Sequence, residues 1–264
     1  MPPVVENIES SMGVTAIFNQ KGGVGKTTTC LNLGAAWLRE GYRPLLVDMD
    51  PQAHLTLSSG VISRSGLAAF FQRGTPLLEL IQRTRGGWNL IPATPELSKI
   101  DALQGSNPKA AGLLSRGMTD EIRGKGPVLL DCCPTLGVLT LNALLAADGV
   151  LIPVAADYLS MQGVQRLDTA LHVLERRLHR TYRRCIVVTR FNSRRQLAYE
   201  VDRQLRERYG EQVCRTRIGE NAALASSPSQ QQDIFQYAPQ SAGASDYAAL
   251  ARELKSSGFL EVDC

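Results

Sequence analysis

Two lysines, Lys21 and Lys26, bracket a glycine-rich run, Asn19-Gln20-Lys21-Gly22-Gly23-Val24-Gly25-Lys26-Thr27-Thr28-Thr29, and phosphate chemistry can be built around them. Glycines let a backbone approach an anion closely. A turn that opens into a helix presents N–H groups and the positive end of the helix dipole to a phosphate. With Gly22, Gly23, Val24 and Gly25 as the cradle, Lys26 would reach the β- and γ-phosphates of a nucleoside triphosphate. The Thr27 hydroxyl would ligate Mg²⁺, and Thr28 would contact the α-phosphate. Gln20 stands where the usual phosphate-loop pattern has glycine, so the run is a variant of that pattern. Lys21, at the front of the loop, cannot easily fold back onto phosphates that Lys26 already holds. It is better placed to reach a second molecule's nucleotide, as an arginine finger does. The bland alternative is a glycine-rich turn with incidental lysines.

Three carboxylates follow apolar runs. Asp131 succeeds Val128-Leu129-Leu130, and Asp48 and Asp50 succeed Leu45-Leu46-Val47. Strand-end carboxylates suit Mg²⁺, which prefers oxygen ligands and keeps several waters, although such aspartates also serve as caps and turn formers.

The elements that must hold these groups alternate. Val14–Phe18 and Leu45–Val47 read as buried strands, with further apolar runs at Leu90–Ile91, Val128–Leu130, Val150–Ile152, Ile186–Val188 and Val213. Between them lie helix-length stretches. Thr27–Glu40 is closed by Gly41, and in Ser160–His179 the residues Met161, Val164, Leu167, Leu171, Leu174 and Leu178 share one face. This alternation predicts an α/β fold, a doubly wound and mostly parallel sheet flanked by helices, with ligands at the carboxyl ends of the strands. Residues 1–12 are expected to form a flexible N-terminal segment and 13–264 one domain. The Ser/Gln-rich stretch Ser226–Gln232 is expected to be irregular.

The run Lys21–Thr27 resembles the deviant Walker A box of the ParA/MinD family of P-loop ATPases. Leu45–Gln52, Leu129–Asp148 and Gly243–Leu254 resemble its ParA, or Soj, branch. The resemblance covers most of the chain and implies an ATP- and Mg²⁺-dependent homodimer with slow hydrolysis. In it Lys21 acts in trans, Asp50 orients or activates the attacking water, Asp48 supports the metal shell and Asp131 holds Mg²⁺ through water. The base would lie near Thr189–Asn192, with Asn192 among its contacts, and near Arg217–Asn221. Relatives of this branch bind nonspecific double-stranded DNA as ATP dimers, are stimulated by an adaptor such as a ParB-like protein, and position plasmids, chromosome origins or protein cargo.

Charge is unevenly distributed along the 264 residues. The chain carries a net +4, yet between Arg176 and Arg217 thirteen arginines face four acidic residues, so the remainder is net acidic. Such a stretch is a plausible polyanion footprint, with Arg194, Arg195, Arg203 and Arg206 as the candidate DNA contacts; a solvated helical surface is the plain alternative. Where the relatives place two DNA-facing arginines, this chain has Glu220 and Ala223, which leaves open a nucleotide-gated protein-interaction scaffold or a MinD-like positioning protein that does not bind DNA. No apolar run approaches the roughly 20 residues of a membrane span, and Ser256–Cys264 is too short and acidic for a membrane-binding tail, so no stable membrane association is expected. The expected location is cytoplasmic, with the nucleoid as the place where DNA binding would hold the protein. Six scattered cysteines without metal-ligand spacing predict buried free thiols.

Overall fold

The computed structural model describes residues 13–63, 65–104 and 110–261; the expected flexible segment 1–12 and Cys264 lie outside them. Eight strands form one sheet in the order β3-β4-β2-β5-β1-β6-β7-β8. They are β1 (Val14–Ile17), β2 (Leu45–Asp48), β3 (Gln82–Arg83), β4 (Asn89–Ile91), β5 (Val128–Asp131), β6 (Gly149–Ala155), β7 (Arg183–Phe191) and β8 (Val213–Gly219). Every pairing is parallel except β3 with β4 at the edge.

Central strands of such a sheet are covered on both faces, which is why they read as unbroken apolar runs. Alternate residues divide between two cores. Val14, Ala16, Val47, Leu130, Val150, Ile152 and Val188 face one layer, which contains the helices Val138–Ala146 and Tyr158–Leu178. Ile17, Leu46, Leu129, Leu151 and Val187 face the other, against Leu31, Leu33 and Trp37 of α1 (Lys26–Arg39) and Tyr247, Leu250 and Leu254 of the helix Ala242–Ser256.

Helix α1 ends as its sequence suggested: Gly41 has φ of 92° and its N–H donates to the Leu38 carbonyl at 3.1 Å. Elsewhere the elements outrun their expected lengths. Strands β6, β7 and β8 extend past their apolar centres because ladder pairing continues through Ala155↔Thr189 and Phe191↔Gly219. Strand β3 carries no signal in the sequence because two polar residues show no periodicity. The stretch expected to be irregular, Ser226–Gln232, contains the 3-10 helix Ser227–Gln230, with Pro228 in its first turn.

Strand β1 lies between β5 and β6, so the chain winds away from it in both directions. A crevice opens above its carboxyl end, the usual ligand position in an open α/β sheet. Register places Ile17 and Asp48 both opposite Asp131, which aligns the ends of β1, β2 and β5 in one row.

Candidate active site

The loop after β1 has the backbone that an anion requires. Gly23 and Gly25 have φ of 73° and 89°, in the left-handed region that glycine enters without strain. Gly25 is also the N-cap of α1 and offers no side chain, so the first-turn N–H groups have no side-chain acceptor there. Asn19 fixes the start of the loop: its amide donates to the Pro153 carbonyl at 2.8 Å, and its carbonyl oxygen accepts from the Lys21 N–H at 3.0 Å.

Lys26 is buried, and its ammonium donates to the Lys21 carbonyl at 3.1 Å. Burial pulls its pKa below the ordinary lysine value, while the charges of Asp131 and Asp50 oppose that fall. Asp131, 1% exposed, has no hydrogen-bond partner on either carboxylate oxygen. Burial first, and then the Asp48 charge, push its pKa well above the carboxylate range. The Thr27 hydroxyl stands close enough to favour the charged form without completing a hydrogen bond of good geometry.

A buried, partnerless carboxylate beside a hydroxyl and a second acid fits a hard cation such as Mg²⁺, whose oxygen ligands and charge would satisfy all three. Among the described residues no group of three His, Cys, Asp or Glu side chains is arranged to hold a metal alone.

Asp48 is differently occupied. Its Oδ1 accepts from the Asp50 N–H at 3.1 Å, and its Oδ2 accepts from the Thr56 N–H at 2.8 Å and the Thr56 hydroxyl at 2.7 Å. The same hydroxyl oxygen accepts from the Ala93 N–H at 2.9 Å. Asp48 therefore ties the loop after β2 to the end of β4, and burial raises its pKa to about 6. Asp50, half-buried, accepts from the Gln52 N–H at 2.9 Å and lies within electrostatic reach of Lys26 and Asp131.

Lys21 rests against its own chain. Its ammonium is paired with Asp157 and donates to the Ser160 hydroxyl at 3.3 Å, at the start of the helix Tyr158–Leu178. Burial pushes Asp157 up, but hydrogen bonds from Lys21 and Ser160 outweigh it and hold the carboxyl below its usual range. With a carboxylate of its own chain in reach, the ammonium takes it. The roles of Asn19, Thr56, Asp157 and Ser160 are not visible in the sequence, since each acts through a contact that spacing does not show.

At the far end of β7, the Asn192 carbonyl oxygen accepts from the Arg194 N–H at 3.0 Å and its amide donates to Glu220 at 2.9 Å. The four candidate DNA-binding arginines separate into two kinds. Arg194 and Arg195 are exposed and make no ion pair among the described residues. Arg203 is paired with Glu200 and Glu207, and Arg206 with Asp202 while also donating to the Cys214 carbonyl. Acids one helical turn away thus neutralise half of the proposed patch, which the arginine count did not reveal. All five described cysteines are buried free thiols, as expected.

Comparison with known proteins accords with this geometry. A family model described as an AAA domain matches residues 12–183. The chromosome-partitioning ATPase Soj of Thermus thermophilus is 43% identical over 240 residues, covering 90% of this chain and 94% of its own length. The chromosome partitioning protein ParA of Caulobacter vibrioides is 34% identical over 251 residues, covering 92% and 94%. Among solved structures, cobyrinic acid a,c-diamide synthase of Mycobacterium smegmatis with bound ADP and magnesium superposes with a TM-score of 0.80 at 28% identity, covering 96% of this chain and 99% of that one.

Proposed function

Because the chain belongs to the Soj/ParA family of partitioning ATPases, we propose that it is an ATP-gated dimerisation switch whose slow hydrolysis is stimulated by an adaptor and which positions DNA or another cargo on nonspecific double-stranded DNA. The chain is an ATP hydrolase that works with Mg²⁺. One observation carries the proposal: an open phosphate loop, a buried lysine and a partnerless Asp131 converge on one crevice, while a second lysine, Lys21, is held apart from it by Asp157.

When bound, Mg²⁺ neutralises developing charge and orients phosphate oxygens. Thr27 would ligate it directly, and Asp131 would accept from its water shell. Lys26 would hold the β- and γ-phosphates, with Gly22, Gly23, Val24, Gly25 and Thr28 lining the cradle. Asp50 would orient the attacking water, and Asp48 would fix the backbone that aims Asp50. Lys21 would leave Asp157 and neutralise the partner protomer's nucleotide. Asn192 remains the proposed base contact, through an amide that Glu220 already orients.

Gly22 tests the dimer. It is exposed, and a Cβ added to it meets nothing within 4 Å in its own chain. The Gly22→Val protein should therefore fold and still bind ATP, yet stay monomeric with ATP by light scattering, because the branched side chain crowds the partner. An ATP-dependent dimer of normal affinity would refute this arrangement.

For the DNA matrix, the Asp50→Ala protein should be retained on nonspecific duplex with ATP but not ADP. That retention should fall steeply from about 50 to 200 mM salt, and removing Arg194 or Arg195 should lower the log–log salt slope by about one each. Glu220, Ala223 and the internal pairing of Arg203 and Arg206 favour a second reading, a nucleotide-gated scaffold that works on a protein surface. Absence of retention even at low salt would select it.

A further inference from the structure

We propose that Thr189 and Arg190, consecutive residues at the end of β7, are positioning residues that aim the anion-binding N–H groups of the loop between β1 and α1; the proposal rests on the ATPase reading above. The Thr189 hydroxyl, 3% exposed, donates to the Val24 carbonyl at 2.8 Å, and the Arg190 guanidinium reaches the Gly23 carbonyl at 3.5 Å. A peptide group is planar and trans, so its C=O and N–H point in opposite directions. Holding the Gly23 oxygen therefore orients the Val24 N–H, and holding the Val24 oxygen orients the Gly25 N–H, both away from β7.

These two peptides lie between left-handed Gly23 and left-handed Gly25, where successive N–H groups form an anion-binding concavity. Such a loop has no ladder of its own to hold its peptide planes. Two donors on adjacent carbonyls supply that restraint from outside.

The backbone of β7 is shaped for the task. Successive side chains of a regular strand point to opposite faces, so Thr189 and Arg190 would not both reach one loop. Arg190, however, has φ of 51°, a region that non-glycine residues seldom occupy. The pairing of β7 with β8 is also irregular between Val188 and Phe191. Thr189 itself is anchored: it pairs with Ala155, and its carbonyl accepts from the Ala156 N–H at 3.0 Å. The left-handed residue turns the arginine back onto the loop that the threonine already touches. An unusual backbone conformation kept beside a ligand-binding loop is where function is to be sought.

The test is equilibrium titration of the full-length protein with a fluorescent ATP analogue and with ADP, reading both Kd and binding stoichiometry. Thr189→Val keeps the shape and removes the donor, and should weaken both nucleotides about tenfold at full stoichiometry, the loss expected of one well-placed hydrogen bond. Thr189→Ser should return to within about twofold of wild type. Arg190→Met, which keeps length without donors, should weaken binding about threefold, the smaller effect matching the longer contact. Wild-type affinity in Thr189→Val, equal losses in Thr189→Val and Thr189→Ser, or losses in stoichiometry alone would each overturn the proposal. Failure of the wild type to bind ATP at all would instead overturn the ATPase reading beneath it.

Discussion

The Lys26→Ala protein should bind ATP at least about 100-fold more weakly than wild type, whereas Lys21→Ala should bind it within about threefold and fail at turnover. The two lysines lie five residues apart in one loop, and their surroundings separate them. Lys26 is buried beside Asp131 and already carries a desolvation penalty, so its ammonium exchanges little water when it meets a phosphate. Removing a charge-assisted contact from such a site costs about 3–5 kcal/mol once the uncompensated partner charge is counted, which corresponds to two or more decades in Kd. Lys21 is occupied by Asp157 in the single chain and, in the dimer proposed above, would contribute to the other protomer's site only on dimerisation. Its loss should leave the Kd of the monomer nearly unchanged and lower kcat by two decades or more, the scale of a missing arginine finger. Titration with a fluorescent ATP analogue and a phosphate-release assay separate the two outcomes. Tight binding by Lys26→Ala, or normal turnover by Lys21→Ala, would refute the corresponding assignment.

Asp131→Asn should give a nucleotide-free protein that is more heat-stable than wild type at pH 7, yet one whose ATP binding Mg²⁺ no longer strengthens. Asp131 and Asp48 are register partners, both buried, and both are pushed above the ordinary carboxylate pKa, Asp48 to about 6. In the unfolded chain such groups titrate near 4. Between about pH 4 and 6 the native state therefore holds more protons than the unfolded state, and stability falls as pH rises through that window. The shift of Asp48 alone corresponds to a loss on the order of 3 kcal/mol by pH 7, because burial, and after it the Asp50 charge, opposes ionisation.

Replacing Asp131 with a neutral isostere relieves part of that cost. The expected gain is on the order of 2 kcal/mol, or about 4–8 °C in Tm for a chain of this size. The gain should shrink toward pH 5, because Asp48, raised to about 6, takes up a proton there and no longer repels Asp131. Differential scanning calorimetry at the two pH values, with and without Mg²⁺, measures it. An unchanged or lower Tm at pH 7, or Mg²⁺ dependence like that of wild type, would contradict the role of Asp131. The site resembles others in which binding residues are held at the expense of stability until the ligand arrives.

Parts of the molecule whose causes are local were legible in the sequence. Buried strands announced themselves as short apolar runs, the helix Tyr158–Leu178 by the spacing of Val164, Leu167 and Leu171, and the end of α1 by Gly41. The phosphate loop was legible for the same reason: glycine at 23 and 25 is a backbone requirement stated at one position, and Lys26 follows from the helix that begins there. The burial of Asp131 and its strand-end position could likewise be read from the run before it.

Partners distant in the chain were not legible. Asp157 lies 136 residues from Lys21, Pro153 lies 134 from Asn19, and Val24 lies 165 from Thr189. Nothing in local periodicity selects these pairs; parallel pairing of β1, β6 and β7 brings them together. The arginines show the same division at shorter range. Their number between 176 and 217 is a property of sequence, but helix geometry sets Glu200, Glu207 and Asp202 against Arg203 and Arg206 and leaves Arg194 and Arg195 exposed. The sequence by itself thus determined the fold class, the phosphate loop and the total charge, because propensity, glycine torsions and ionisable groups belong to single residues and their near neighbours. Only the tertiary structure decided where Lys21 rests, what Asp48 holds and which charges remain available, because hydrogen bonds and electrostatic fields depend on distances that strand order, loop path and helix geometry create.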